Sequence, residues 1–167
     1  MDNKYTECCV KKKTTTKDTM LKLGMIALII AAFAAGVLFH FGLFLLVGIF
    51  GIVFAYICIP MLNVTYEYVY CDGQIDFDKI MNGEKRKHIY RTDLENIKIV
   101  APDSAHELDS YKYNNTPVRD FSSHEKDHKK YAIVESQGEK LQMLLFEPDE
   151  KMLSMMARKA PHKVIIQ

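Results

Sequence analysis

Leu23 to Pro60 reads LGMIALIIAAFAAGVLFHFGLFLLVGIFGIVFAYICIP, without one Asp, Glu, Lys or Arg. Only His40 among these 38 residues can take a charge. One helix of that length would extend about 57 Å, at about 1.5 Å per residue, whereas the hydrocarbon core of a bilayer is about 30 Å thick. Two spans of about 18 residues fit. The expectation is therefore a two-helix transmembrane hairpin over residues 23–60, with helices at about 23–39 and 42–60 and a turn near His40-Phe41-Gly42. A buried helix pair of a soluble protein is the bland alternative, but an uncharged run of this length reads as membrane spans. One long tilted helix is the rival, and it would place the two ends on opposite sides. A cleaved signal peptide fits poorly, because the stretch is too long and no small-residue cleavage site follows it.

The flanks set the orientation. Lys4, Lys11, Lys12, Lys13, Lys17 and Lys22 precede the run, against Asp2, Glu7 and Asp18. Lys79, Lys85, Arg86 and Lys87 follow it, and the turn carries no Lys or Arg. Basic flanks mark the cytoplasmic side, so both termini are expected there. Ala27, Ala31 and Ala35 recur every fourth residue, Ala32 stands four before Gly36, and the second span holds Gly48 and Gly51. Small side chains let helix backbones approach in lipid, so Ala32, Gly36, Gly48 and Gly51 are the expected packing residues. No acidic or basic side chain lies in mid-membrane to mark an ion path.

Residues 1–22 carry six lysines and three acids, with Thr14-Thr15-Thr16 and no apolar period. They read as a flexible basic arm in the cytoplasm at an anionic membrane surface. Residues 61–167 form the soluble domain, long enough for a core of its own. From Leu23 onward the chain holds 16 basic and 18 acidic residues. That balance argues against nucleic acid as a partner. The four cysteines, Cys8, Cys9, Cys58 and Cys71, have no zinc-site spacing and are expected as free thiols in a reducing compartment. Adjacent juxtamembrane Cys8 and Cys9 also fit an acylation site, although plain thiols in a tail are the commoner case.

Within the soluble domain, residues 62–71 put Val64, Tyr66, Tyr68 and Tyr70 on one face of a strand. Asp72-Gly73 and Asn82-Gly83 are two-residue hairpin turns, bounding a strand over 74–81. Further strands are expected at 84–91, 96–100, 117–122, 131–135 and 140–146, with a helical turn at 103–110 in a long polar excursion. After Pro148, the acids Asp149 and Glu150 open a helix that Pro161 ends, with Met152, Leu153, Met156 and Ala160 as its apolar stripe. A methionine-rich stripe is more often core than an adaptable binding face. Val164-Ile165-Ile166 would add an edge strand.

This order, a seven-strand antiparallel barrel or sandwich with one C-terminal helix, resembles a pleckstrin-homology-like (PH-like) domain over residues 62 to about 160. The wider arrangement of lysine-rich arm, two-helix hairpin and α+β domain resembles a family of uncharacterised membrane proteins of Gram-positive bacteria. Tyr66-Glu67-Tyr68, Asp72-Gly73-Gln74-Ile75-Asp76-Phe77-Asp78-Lys79-Ile80 and Lys85-Arg86-Lys87 carry that likeness. The resemblance implies a PH-like fold and no assigned activity.

Two segments are candidate sites. Lys85-Arg86-Lys87-His88 would meet lipid head groups or an acidic partner, although alternation sets Lys85 and Lys87 against Arg86 and His88. Phosphoinositide-binding PH domains gather basic residues at the first hairpin loop, but Cys71-Asp72-Gly73 is acidic there. His124-Glu125-Lys126-Asp127-His128 matches the H-E-x-x-H zinc-protease pattern, in which a helix places both imidazoles on one face and Glu acts as general base. Its charged surroundings favour a chance match in a solvated loop, with His124 and His128 only weak metal candidates. The expectation is a multi-pass cell-membrane protein and not an enzyme. It needs no cofactor and presents a binding or scaffold domain to the lipid bilayer and a membrane or cytoplasmic protein partner. A small zinc metallopeptidase and a structural subunit of a membrane complex are the alternatives.

Overall fold

The computed structural model describes residues 5–38, 42–125, 127–138 and 140–166, without the side chains of Leu45 and Met61. The expected turn at Phe39-His40-Phe41 lies outside the described residues. Two compact units emerge, one built on the sheets and one on the two long helices.

In the helical unit, α1 runs Thr16–Leu38 and α2 runs Gly42–Met61. The first helix starts seven residues before the apolar run, and a capping box explains why. The Asp18 carboxylate accepts the Thr15 backbone N–H at 3.0 Å, and Thr19 N–H closes on Thr15 O at 3.1 Å. Gly48 and Gly51 sit at the contact between the helices. A Cβ built on Gly48 would stand 2.8 Å from the Phe33 ring, and one on Gly51 would stand 3.0 Å from Ile29 Cγ1. Gly36 and Ala55 are also buried. Apart from that seam the helices are bare. Only 6% of the most apolar stretch of α1 and 12% of that of α2 is buried.

The second unit holds eight strands: β1 Tyr5–Lys11, β2 Val64–Cys71, β3 Gln74–Met81, β4 Lys85–Asp93, β5 Ile97–Pro102, β6 Val118–Asp120, β7 Tyr131–Gln137 and β8 Lys140–Phe146. They form two four-stranded sheets, ordered β1-β2-β3-β4 and β5-β7-β8-β6. The expected hairpin turns are present. Asp72 and Gly73 have φ of 45° and 95°, and Asn82 and Gly83 have 56° and 72°, so both central positions are left-handed as this turn type demands.

Four expectations are corrected. In place of the seven strands of the expected antiparallel barrel or sandwich, the described residues hold eight strands in two sheets, with no closed barrel. The supposedly flexible arm supplies the eighth. Thr6, Cys8 and Val10 alternate toward the core, and Tyr5–Lys11 pairs antiparallel with β2, from Tyr5↔Cys71 to Lys11↔Thr65. Finally, β6 lies parallel to β8 and is no rung of a meander, and residues 164–166 supply one bridge, Val164 to Val100, in place of a strand.

Aromatic and aliphatic side chains of both sheets meet in one core. Tyr68, Ile75 and Phe77 come from the first sheet, and Ile133, Leu144 and Phe146 from the second. Phe77 stacks on Phe121 at 4.8 Å and meets Phe146 edge-on at 6.0 Å. Helix α4, Glu150–Lys159, covers this core with Met152, Leu153 and Met156. Its N-cap, Asp149, accepts the Met152 N–H at 2.8 Å. The methionine stripe is therefore core. The long excursion also has a structural task. A 3-10 turn at His106–Leu108 and α3, Asp109–Tyr113, lead Ala105 and Leu108 onto a second cluster with Ala101, Ala132, Val134 and Met143.

A chain lacking residues 1–12 should lose the β1 ladder and the burial of Val10. Removal of one such side chain from a core costs about 2 kcal/mol, so the thermal midpoint of the sheet unit should fall by about 10 °C or more. An unchanged midpoint would restore the disordered-arm reading.

Candidate functional site

The basic segment at the start of β4 is divided by its partners. The Arg86 guanidinium pairs with Glu67 of β2 and approaches Asp78 of β3 at 3.7 Å. His88 Nδ1 lies 2.9 Å from Asp78 Oδ1. Glu67 and Asp78 are 5% and 8% exposed, so Arg86 and His88 serve to compensate buried carboxylates. Cys9 Sγ adds a weak contact to Glu67 at 3.8 Å. Ile89 and Tyr90 are chain neighbours that both pack on the core, so alternation breaks there. Further along, Arg91 Nη2 binds Asp76 at 2.9 Å. Lys85 and Lys87 are exposed and take part in none of the ion pairs among the described residues. Of the four candidates, only these two lysines offer free charge.

Residues 122–125 and 127–130 are neither helix nor strand, so the geometry that an H-E-x-x-H zinc site requires is missing. His124 has φ of 62° and faces Asp120 at 3.3 Å. His128 turns to Glu147, at the end of β8, through Nδ1 at 3.0 Å. The two imidazoles thus serve different carboxylates. Among the described residues no group of three or more His, Cys, Asp or Glu is placed to hold a metal ion.

Glu147 organises this segment. Its Oε1 accepts the Ser123 N–H at 2.9 Å and the Ser123 hydroxyl at 2.8 Å, and its Oε2 meets His128. Ser123 Oγ in turn accepts the Glu125 N–H at 3.0 Å. Ser, His and Glu together invite comparison with a hydrolase triad, but the geometry differs. Serine and glutamate both approach Nδ1 of the ring, at 3.3 Å and 3.0 Å, while Nε2 faces Glu125 at 3.4 Å. In a working triad the serine and the carboxylate take opposite nitrogens. Ser123 is also fully buried. The cluster is a brace for the segment. A cavity of about 490 Å³ opens beside it, with Glu125, His128, Lys129 and Lys130 on its wall.

A further buried polar group lies between β4, β6 and β7. The Tyr90 hydroxyl donates to Glu135, Gln137 Nε2 donates to the Tyr90 hydroxyl at 2.7 Å, and the Arg119 guanidinium sits 4.8 Å over the Tyr90 ring. Burial first, and then the Glu135 carboxylate, push the Tyr90 phenol well above the usual tyrosine range. Burial does the same to Tyr68, whose hydroxyl donates to Phe121 O at 2.6 Å. All four cysteines are free. Burial pushes the thiols of Cys8 and Cys9 up, which disfavours the reactive thiolate. Neither Glu147 nor Ser123 stood out in the sequence, because only the fold brings residues 24 apart in the chain to one hydrogen bond.

Two facing sheets capped by a C-terminal helix define a PH-like architecture, here joined to a pair of long apolar helices. Residues 2–166 match the family described as bacterial PH-like domain (DUF6106), and the chain belongs to that family. No curated protein and no solved structure matches the chain.

Glu147→Ala should leave the buried Ser123 N–H without an acceptor and release His128. A stability loss of roughly 2 kcal/mol is expected in chemical unfolding, and an unchanged midpoint would dismiss the brace. Raised pKa values at Tyr68 and Tyr90 keep both phenols protonated in the folded state while an unfolded chain ionises them near the ordinary pKa of 10.0. Stability should therefore hold below that pH and fall as pH rises through it. Unfolding midpoints at neutral and strongly alkaline pH, read beside the ultraviolet signal of tyrosinate, test this.

Proposed function

We propose that this is an integral membrane protein whose α1 and α2 cross the bilayer as a hairpin, with both termini cytoplasmic, and whose PH-like domain is a binding or scaffold module at the membrane surface. One observation carries the anchoring. Few residues in the most apolar stretches of these helices are buried, 6% and 12%, and lipid is the solvent that accepts apolar side chains left so exposed. The helix pair of a soluble core would be enclosed.

The sheet supports the two-crossing topology independently. β1 precedes α1 and β2 follows α2, yet the two strands are hydrogen-bonded partners. The chain on either side of the helices must then lie on one side of the membrane, which a single long span forbids. The lysines flanking both ends favour the cytoplasmic side. A binding role in place of catalysis is supported by Ser123, sealed in the interior and committed to Glu147. Lys85 and Lys87 are the residues of the basic strand left to contact head groups or a partner.

Alkaline carbonate extraction of cell membranes should leave the full chain in the pellet. Fluorescent-protein fusions at either end should glow, and alkaline phosphatase fusions at either end should stay silent. Release by carbonate would defeat the anchoring, and active phosphatase at one end would defeat the hairpin.

A further inference from the structure

The outermost strands of the two sheets are β1, β4, β5 and β6, and three of these edges are closed or guarded. β5 is covered, since Val100 N–H donates to Lys163 O at 2.7 Å and Ile165 N–H donates to Val100 O at 2.8 Å. β6 is only three residues long. β4 begins with exposed Lys85 and Lys87, and lysines keep other strands off an edge. β1 differs. Its seven residues keep an unbroken register with β2 and include neither Pro nor Gly. Its one lysine is its last residue, offset by one acid, Glu7. Cys8 and Val10 point inward to the core, and among the described residues no element but β2 reaches its backbone with a hydrogen bond. Such an open row of N–H and C=O groups recruits a further strand.

The residues of β1 say which strand fits. Glu7, Cys9 and Lys11 stand on its exposed face. When a strand pairs antiparallel with a copy of itself, residues equidistant from the two-fold axis stand opposite one another. An axis through Cys9 sets Glu7 of each copy against Lys11 of the other, Cys8 against Val10, and Cys9 against Cys9. No other antiparallel register of two β1 strands opposes Glu7 and Lys11, and an axis through Glu7 would oppose two carboxylates. Opposite charges facing across a ladder are favourable, and like charges are not. Both charges are available. Glu7 accepts the Tyr5 hydroxyl at 2.6 Å, and neither Glu7 nor Lys11 enters an ion pair among the described residues.

We propose that β1 pairs with β1 of a second copy of this chain, antiparallel and centred on Cys9, so that two β1-β2-β3-β4 sheets become one continuous sheet. The pairing leaves Lys85 and Lys87 on the far edges. It does not depend on the reading of the helices as a membrane anchor.

Cys9 reports the register. Opposite residues of an antiparallel pair have Cα atoms about 4.5 to 5.5 Å apart, within the roughly 4.4 to 6.8 Å that a disulfide spans. Cells expressing the full chain are broken and treated with copper phenanthroline, and the fraction that holds the chain is run without reductant. A disulfide-linked dimer should form. Cys9→Ser should abolish it, and Cys71→Ser, exposed on the neighbouring strand, should not. Glu7→Lys and Lys11→Glu each set like charges opposite and should each lower the dimer about fivefold or more. The two variants expressed together under different tags should restore it as a mixed dimer, because each lysine then meets a glutamate. That restoration also shows that both variants are folded. Absence of a dimer, a dimer that survives Cys9→Ser, single variants that crosslink like wild type, or a mixture no better than either alone would overturn the proposal. A Cys9 adduct with a protein of another mass would overturn it too, by giving the edge to a different partner. None of these outcomes bears on the anchoring, which carbonate extraction tests by itself.

Discussion

The pairing of β1 with β2 is the constraint on which the rest depends. Seven residue pairs, from Tyr5↔Cys71 to Lys11↔Thr65, join segments separated in the chain by the whole helical unit. The helix pair is in effect an insertion into a β-hairpin, standing where a two-residue turn would otherwise be. Without β1, strand β2 would become an exposed edge with unsatisfied backbone groups, a liability in any sheet. The core would also lose Val10 and the half-buried Cys8. The ladder thus does two things at once. It completes the first sheet, and, were the helices to enter a membrane, it would keep both of their outer ends on one side.

Buried carboxylates organise the remaining polar structure. A carboxylate taken out of water is costly unless it is paired or hydrogen-bonded. Glu67 and Asp78 recruit Arg86 and His88, Glu135 takes the Tyr90 hydroxyl, and Glu147 takes Ser123 and His128. Each arrangement fixes a piece of surface that the alternation of strands alone would leave loose. The same arrangements sort the cations. Arg86 and His88 are spent on the interior, whereas Lys85, Lys87, Lys129, Lys130 and Lys151 remain outside it.

What could be read in the sequence follows the range of the physics. The two apolar helices, both left-handed turns, strand β3 and the α4 stripe depend on local pattern, and apart from the earlier start of α1 each stands where the residues put it. β1 was not legible. Its apolar face is only Thr6, Cys8 and Val10, and the lysines beside it read as a solvated arm. The start of α1 was legible in principle, from Thr15-x-x-Asp18, but the charge boundary at Leu23 outweighed that capping signal. The Glu147 brace and the closed contacts of Arg86 depend on residues far apart in sequence, which no periodicity reveals. The H-E-x-x-H match shows the opposite failure, in which a local pattern is complete while the helix it presumes is missing.

Chain length adds a last constraint on function. Four residues link β1 to α1, and two link α2 to β2. At about 3.5 Å per residue, these reach no more than about 14 Å and 7 Å. Helices held in a bilayer would therefore confine the domain to a thin layer at its surface. A partner segment tethered in the same membrane would meet the domain within that layer, at an effective concentration far above its average in the cell. Modest affinity would be enough under that condition. The short linkers thus fit the proposed membrane-surface module, in which confinement would supply much of the binding.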